Sequence, residues 1–210
     1  MKIQKPQKLE NLEEKELSEI LEIEKIRYAY FQNQKCDEIK IWDFQFEYCK
    51  FHTISMQKAK IEKVTFRDVL FENCNFSNSD FVECSFIRCE FKNCKISGCN
   101  FSENGLYHIS FVETNANYIN LAMATLENLK WNNSQMRNSY FQETKIRNIA
   151  FEQVDLTQAQ FSKTSLKGID LSTCKIEGIA ISLEDIKGAI VEELQAMDLL
   201  YLLGVTLKKE

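Results

Sequence analysis

A five-residue period constrains this chain more than any other feature of its sequence. From Ile41 to Ile181, every fifth residue is large and apolar except Ala116. With this phase extended back to Phe31, every phenylalanine but Phe44 falls in it. A helix repeats near 3.6 residues and a strand at 2, so neither regular element explains a period of five. The chain must therefore turn a corner every five residues, and stacked units must share one core.

Two of every five positions are predicted to point inward. The large position forms a core column that contains Phe46, Phe51, Phe66, Phe71, Phe76, Phe81, Phe86, Phe91, Phe101, Phe111, Phe141, Phe151 and Phe161. Two residues before each centre lies a column of small or β-branched residues, which includes Cys74, Cys84, Cys89, Cys94, Cys99 and Cys174. The other three positions are mostly polar and are predicted to face solvent.

Several units follow the order small residue, Asp or Asn, Leu or Phe, then two polar residues. Good matches are Ser79-Asp80-Phe81, Cys99-Asn100-Phe101-Ser102, Val154-Asp155-Leu156-Thr157-Gln158 and Ile169-Asp170-Leu171-Ser172-Thr173. Over roughly residues 26–191 the sequence resembles the pentapeptide-repeat family. The resemblance implies an all-β fold, a right-handed quadrilateral parallel β-helix of about seven to eight coils, each with four pentapeptides. The unbroken register excludes the projecting loops that some gyrase-protecting members of the family need.

The two ends of the chain lie outside the clear repeat. Residues 1–25 are predicted to form an N-terminal arm or cap, partly helical, that covers the open end of the core. This rests on the loose helical spacing of Leu9, Leu12, Leu17, Ile20 and Leu21. A partner-binding helix is the alternative interpretation of the same residues. The repeat region is assigned to residues 26–191.

Residues 192–210 are predicted to form a dimerisation helix and a tail, with a helix over Glu192–Leu203 and Gly204 at its C-terminal cap. Ala196, Leu199, Leu200 and Leu203 form one apolar stripe, and Leu194, Met197 and Tyr201 form a second. One stripe can plug the core, and the other then needs a partner. The segment around Gly188-Ala189-Ile190-Val191 also resembles the C-terminal module of the bacterial Qnr and MfpA types, which implies a two-fold dimer. The predicted dimer interface comprises Leu194, Met197, Leu199, Leu200, Tyr201 and Leu203.

No residue pattern indicates catalysis, a cofactor or a metal. Cys84, Cys89, Cys94 and Cys99 are separated by four residues rather than by the two of zinc-binding pairs, and they belong to an inward column. Cys74 and Cys94 are predicted to stack with parallel side-chain directions, which disfavours a disulfide. His52 and His108 fall on outward positions with no nucleophile arrangement beside them. We therefore expect no catalytic, cofactor-binding or metal-binding residues.

The charge distribution leaves two functions open. The Qnr and MfpA resemblance implies a DNA-mimicking interactor of DNA gyrase or topoisomerase IV that modulates fluoroquinolone sensitivity. Residues 26–191, however, carry 20 acidic and 19 basic side chains, and only Asp80, Glu83 and Glu103 form a possible acidic surface. A strong mimic needs a long anionic stripe. The alternative is a structural or adaptor protein that binds another cytoplasmic protein. Neither hypothesis involves direct nucleic-acid binding.

The location of the protein is predicted from the absence of two signals. No run of about 18 apolar residues suggests a membrane span. The N-terminal residues are polar and rich in Glu, unlike a secretory signal peptide. The sequence therefore predicts a cytoplasmic protein without membrane contact.

Overall fold

The computed structural model describes residues 2–22 and 24–205, and the side chains of residues 20–22 lie outside the description. The predictions for the side chains of Ile20 and Leu21 and for the tail 206–210 therefore concern residues that are not described. The strands are β1 Glu13–Glu14, β2 Lys25–Arg27, β3 Ala29–Gln32, β4 Lys40–Trp42, β5 Gln45–His52, β6 Lys60–Glu62, β7 Thr65–Glu72, β8 Asp80–Val82, β9 Ser85–Lys92, β10 Gly105–Val112, β11 Thr125–Asn132 and β12 Lys145–Glu152. The helices are α1 Leu183–Ile186, α2 Glu193–Asp198 and two 3-10 helices, Leu17–Glu22 and Leu200–Leu203.

Each strand pairs in parallel with the strand one coil further along the chain. Phe46 pairs with Phe66 and Phe66 pairs with Phe86, so one coil contains 20 residues. β5, β7, β9, β10, β11 and β12 extend one sheet, and β4, β6 and β8 form another. Single bridges such as Ser55 to Asn75 continue the stacking where no strand is formed. The result is a parallel β-solenoid of about seven coils, which confirms the predicted fold class.

A left-handed backbone conformation marks the corners of the solenoid as far as Gly168. Every fifth residue from Tyr28 to Gly168 has a positive φ, between 49° and 78°. This conformation turns the chain from one side of the solenoid to the next, and it is uncommon for residues other than glycine. In β5 it occurs at Tyr48, in the middle of the strand, so one eight-residue strand covers two sides of the solenoid. The period of five is therefore also a period in backbone conformation.

The core is a set of stacked aromatic rings. Phe31, Phe51, Phe71, Phe91, Phe111 and Trp131 form one ladder along the axis, with ring centroids 3.6 to 5.0 Å apart. The 13 phenylalanines of the predicted core column are all buried, none with more than 3% of its surface exposed. Phe44, the exception to the sequence phase, takes an inward position of the small column and packs 4.6 Å from Phe46.

The small inward column satisfies backbone groups at the corners. Cys99 Sγ donates to the carbonyl of Phe76 at 2.8 Å, and Ser79 Oγ donates to that of Met56 at 2.6 Å. Thr144 Oγ1 makes the equivalent bond, 23 residues back, at 2.8 Å. The carbonyls of Phe76 and Leu121 also accept a backbone N–H, so the side chain supplies a second bond to an oxygen with two lone pairs. Of the 27 positions of this column from Cys49 to Ile179, 13 are Cys, Ser or Thr, whose side chains can donate such a bond.

The N-terminal end of the core is closed by Leu17, which is fully buried. Its backbone N–H donates to Gln34 Oε1 at 2.8 Å. The parallel ladder already begins at β1, whose Glu13 pairs with Ala29, an offset of 16 residues instead of 20. Of the residues described, none belong to a helix long and apolar enough to cross a membrane.

Candidate interaction surfaces

The C-terminal helix α2 closes the other end of the solenoid through a single buried side chain. Gln195 Nε2 donates to the carbonyls of Leu171 and Cys174, at 2.9 and 2.7 Å. The Gln195 side chain also accepts the backbone N–H of Glu192, in a reciprocal capping arrangement. These bonds hold α2 rigidly against the carbonyls of the last coil.

The C-terminal segment bends where a continuous helix over Glu192–Leu203 was predicted. α2 ends at Asp198, and a 3-10 helix follows up to Gly204, which adopts the left-handed conformation of a C-terminal cap. Because of this bend, the residues of the first predicted apolar stripe do not share one surface. Ala196 and Leu203 are exposed, whereas Leu199 packs partly against the core. Gln195, which belongs to neither stripe, is the residue that closes the core.

A cluster of large apolar side chains remains exposed on this C-terminal segment. The exposed fraction is 74% for Leu194, 62% for Leu203, 48% for Tyr201 and 47% for Met197. The Tyr201 hydroxyl donates to the carbonyl of Ile179, so its ring is fixed in place. Leu199 and Leu200, the other two residues of the predicted interface, are half-buried. We call these six residues the C-terminal apolar face.

Charged side chains on the sides and corners of the solenoid pair between neighbouring coils. Among such pairs are Glu72 with Lys92 at 3.2 Å, Asp68 with Arg88 at 2.6 Å and Glu143 with Lys163 at 2.8 Å. Glu72 also contacts Lys50 at 3.0 Å, and this hydrogen bond is the main cause that lowers the pKa of Glu72 to about 2. Along the solenoid, acidic and basic side chains in neighbouring coils therefore largely neutralise each other.

The predicted acidic surface differs from these pairs. Asp80, Glu83 and Glu103 are exposed, and within the described part of the chain none of them forms an ion pair. Glu83 and Glu103 are both corner residues, with φ of 52° and 62°, one coil apart. They stand on the same edge of the solenoid, so their charges add there. This patch covers two coils rather than the length of the solenoid.

Of the residues considered for chemistry, Cys74 and Cys94 contact each other through their side chains in neighbouring coils, and the histidines lie apart. All eight cysteines are free thiols, and burial raises the pKa of Cys49, Cys89 and Cys99 to about 12. Such thiols stay protonated near neutral pH and are poor nucleophiles. His52 Nδ1 lies 3.2 Å from Glu72, whereas His108 lies three coils away and accepts a backbone N–H from Gln4. Over residues 2–22 and 24–205 no group of three or more potential metal ligands occurs.

Comparison with protein families gives two overlapping matches. The model described as "Pentapeptide repeat region" matches residues 84–161, and the one described as "Pentapeptide repeats (8 copies)" matches residues 55–102. Together they span residues 55–161, about half of the chain, within the coils described above. The chain is a pentapeptide-repeat protein. No protein among the curated ones matches it.

Three similar solved structures come from two proteins. A trypsin-treated form of QnrB1, a plasmid-mediated fluoroquinolone resistance protein, is 18% identical, with 88% of this chain and 90% of that chain covered and a TM-score of 0.38. A second trypsin-treated QnrB1 is 16% identical, with coverages of 89% and 92% and a TM-score of 0.37. A pentapeptide repeat protein from the Arabidopsis thaliana thylakoid lumen is 15% identical, with coverages of 54% and 66% and a TM-score of 0.39.

Sequence reasoning missed one feature of the surface. Residues 1–25 were expected to form an arm or cap, partly helical, over the open end of the core; residues 2–12 form neither helix nor strand and run back along the outside of the solenoid. Gln7 contacts Asp68 and Gln4 contacts His108, far along the coils from β1. A weak signal was present in the sequence, because Ile3, Leu9 and Leu12 are spaced by multiples of three.

Proposed function

We propose that this protein is a non-catalytic binding protein that acts as a homodimer through its C-terminal apolar face. The observation that carries the proposal is the exposure of Leu194 and Met197 on α2, which Gln195 anchors to the last coil, and of Leu203 just after it. Exposed apolar clusters on soluble domains mark interaction sites when they are contiguous.

A second copy of the chain is the occupant that we propose for this face. In a two-fold interface the same patch contributes from both sides, so one apolar cluster is sufficient. The dimer would place two solenoids end to end, with their long sides available to a partner. The preorganised position of α2 lowers the entropic cost of association.

The dimer is tested by light scattering at micromolar concentration. We expect the mass of a dimer for the unchanged protein and of a monomer for the double variant Leu194→Glu, Leu203→Glu. Leu183→Glu is the matched control, because Leu183 is 51% exposed but lies outside the C-terminal apolar face. A monomeric mass for the unchanged protein would refute the proposed dimer.

For the partner we propose another cytoplasmic protein that the rigid solenoid binds as an adaptor. Support comes from the near balance of acidic and basic side chains and from their pairing between coils, as for Glu143 and Lys163. A surface of this kind selects partners by shape and by local charge rather than by a strong overall field. Pull-down with the dimer and with the monomeric variant identifies partners that require both solenoids. Recovery of gyrase subunits above all other proteins would contradict this choice.

A second candidate partner is DNA gyrase or topoisomerase IV, with the solenoid imitating DNA. The observation that favours it is the unpaired acidic patch of Asp80, Glu83 and Glu103. A supercoiling assay with purified gyrase, with and without ciprofloxacin, tests it. Inhibition that Glu83→Lys with Glu103→Lys removes, and that Glu113→Lys at another exposed corner leaves unchanged, supports this candidate. No effect at tens of micromolar rejects it.

A further inference from the structure

The N-terminal residues 2–12, which we call the arm, follow one corner of the solenoid. Tyr48, Asp68, Arg88 and His108 occupy this corner in successive coils, and each has a positive φ between 51° and 57°. We call these four residues the corner column. The arm meets it in the reverse order of the chain: Lys8 Nζ lies 5.3 Å from the Tyr48 ring, as a cation over the face of an aromatic ring.

Backbone groups of the arm bond to alternate coils of the corner column. Gln7 N–H donates to Asp68 Oδ1 at 3.2 Å, and Gln4 N–H donates to His108 Nδ1 at 3.4 Å. Three residues of extended chain span roughly 10 Å. Two coils stacked at strand spacing span about 9.6 Å. The match explains why the same contact recurs after three residues of the arm and two coils of the solenoid.

The side chains of the arm obey the same period. Ile3, Pro6, Leu9 and Leu12 are half-buried, while the residues between them are exposed. Ile3 and Lys5 line a cavity of about 240 Å³ together with Val112 and Glu90 of the solenoid. An apolar residue at every third position of the arm is therefore turned toward the solenoid.

The acceptor at the centre of the corner column is preorganised. Arg88 Nε and Nη2 hold the two carboxylate oxygens of Asp68 at 2.7 and 2.6 Å, and the Asp68 side chain is only 1% exposed. Because Arg88 fixes this orientation, Oδ1 is aimed at the passing backbone of the arm. The contact uses a backbone N–H, so any extended chain of suitable shape can replace Gln7 there.

We propose that the corner column and the side around Val112 form a docking surface for an extended segment of a partner protein, with an apolar residue at every third position and lysines between. The arm occupies this surface within the same chain and therefore competes with the partner segment for binding. The inference rests on the proposed binding role but not on the C-terminal dimer, because it concerns a different surface. A tethered arm competes at an effective concentration in the millimolar range.

The experiment measures binding of a fluorescein-labelled peptide with the sequence of residues 2–12 to full-length protein, by fluorescence anisotropy. The arm is displaced in the double variant Ile3→Asp, Leu9→Asp, which loses two apolar contacts but keeps every residue of the solenoid. We expect this variant to bind the peptide at least about tenfold more tightly than the unchanged protein, since its own arm no longer competes. A peptide of the same composition with the three-residue period broken should not bind.

A third variant locates the binding on the proposed surface. Val112→Glu, added to the arm-displaced variant, places a charge where the apolar residue of the peptide is expected, and should weaken binding at least about tenfold. Circular dichroism confirms that the solenoid is retained, because Val112 points outward. Equal binding of both peptides, no gain on displacing the arm, or no loss with Val112→Glu would overturn the proposal. Conversion of a dimer to a monomer by Ile3→Asp, Leu9→Asp alone would also overturn it, since the arm would then act between copies.

Discussion

Replacing Phe71 with leucine measures how much the aromatic ladder stabilises the solenoid. Phe71 is 1% exposed, and its ring stacks on Phe51 at 5.0 Å and on Phe91 at 4.5 Å. Leucine keeps the position apolar and nearly fills it but removes the ring. The matched control is Phe151→Leu, since Phe151 is 2% exposed and, within the described residues, its ring pairs only edge-on with Phe141 at 6.2 Å.

The expected magnitude follows from the number of aromatic neighbours. A volume-conserving exchange of apolar residues usually costs less than about 1.5 kcal/mol, and we take this as the scale for Phe151→Leu. Each aromatic pair, stacked or edge-on, contributes about 0.5 to 1.5 kcal/mol beyond the burial of its area. The Phe71 ring also meets Phe66 and Phe76 edge-on, at 5.5 and 5.4 Å, so Phe71→Leu loses four pairs where the control loses one. The three additional pairs should make Phe71→Leu more destabilising than the control by about 1.5 to 4.5 kcal/mol, as an order-of-magnitude estimate.

The assay is urea unfolding followed by circular dichroism, with the midpoint and the slope fitted separately. An unchanged slope means that the variant unfolds the same surface, so that the shift in midpoint reports stability. Because neighbouring coils depend on one another, loss at a central coil should appear in the whole transition. If both variants shift the midpoint equally, ring stacking adds nothing to burial and the reasoning is refuted.

Three further predictions concern the corners and the charged sides. Thr144→Val removes one hydrogen bond to the carbonyl of Leu121, which still accepts the backbone N–H of Ala124, and should destabilise by about 0.5 to 1.5 kcal/mol. Val154→Thr in the same column, which adds a donor, should be close to neutral, and urea midpoints of both variants decide this. Thr53 is exposed with φ of 56°, so Thr53→Gly relieves strain and should stabilise by about 0.5 to 1 kcal/mol, whereas Thr65→Gly on a strand should destabilise. Thermal unfolding measures this pair, and a loss for Thr53→Gly contradicts the argument. Glu72 has its pKa lowered to about 2, so its stabilisation is complete above the usual carboxylate range and is lost as pH falls toward 2. Glu72→Gln should remove about 1 kcal/mol at pH 7 and nothing near pH 2; a constant difference at both pH values would contradict the assignment.

The candidate surfaces could be predicted only in part. The exposed C-terminal residues Leu194 and Met197 were selected from their helical spacing, and their role in a dimer stays a prediction. Gln195, which closes the C-terminal end of the core, was missed because a polar side chain does not appear in a pattern of apolar residues. Its role depends on the backbone carbonyls of the last coil, to which it donates. An N-terminal arm or cap was predicted, but its path along the outside of the coils was missed, because a three-residue period of half-buried residues matches no element of ordinary secondary structure.

The sequence by itself determined the repeating geometry of this protein. One large apolar residue in every five required a corner in each unit and one shared core, while the four units per coil were implied by the resemblance to pentapeptide-repeat proteins and are seen in the pairing of Phe46 with Phe66. Only the tertiary structure decided which groups contact one another on the outer surface of the solenoid. The path of the arm depends on the match between three extended residues and two stacked coils, and the orientation of Asp68 depends on Arg88 one coil away. These relations arise between residues far apart in the chain, whereas the period of five acts within each unit.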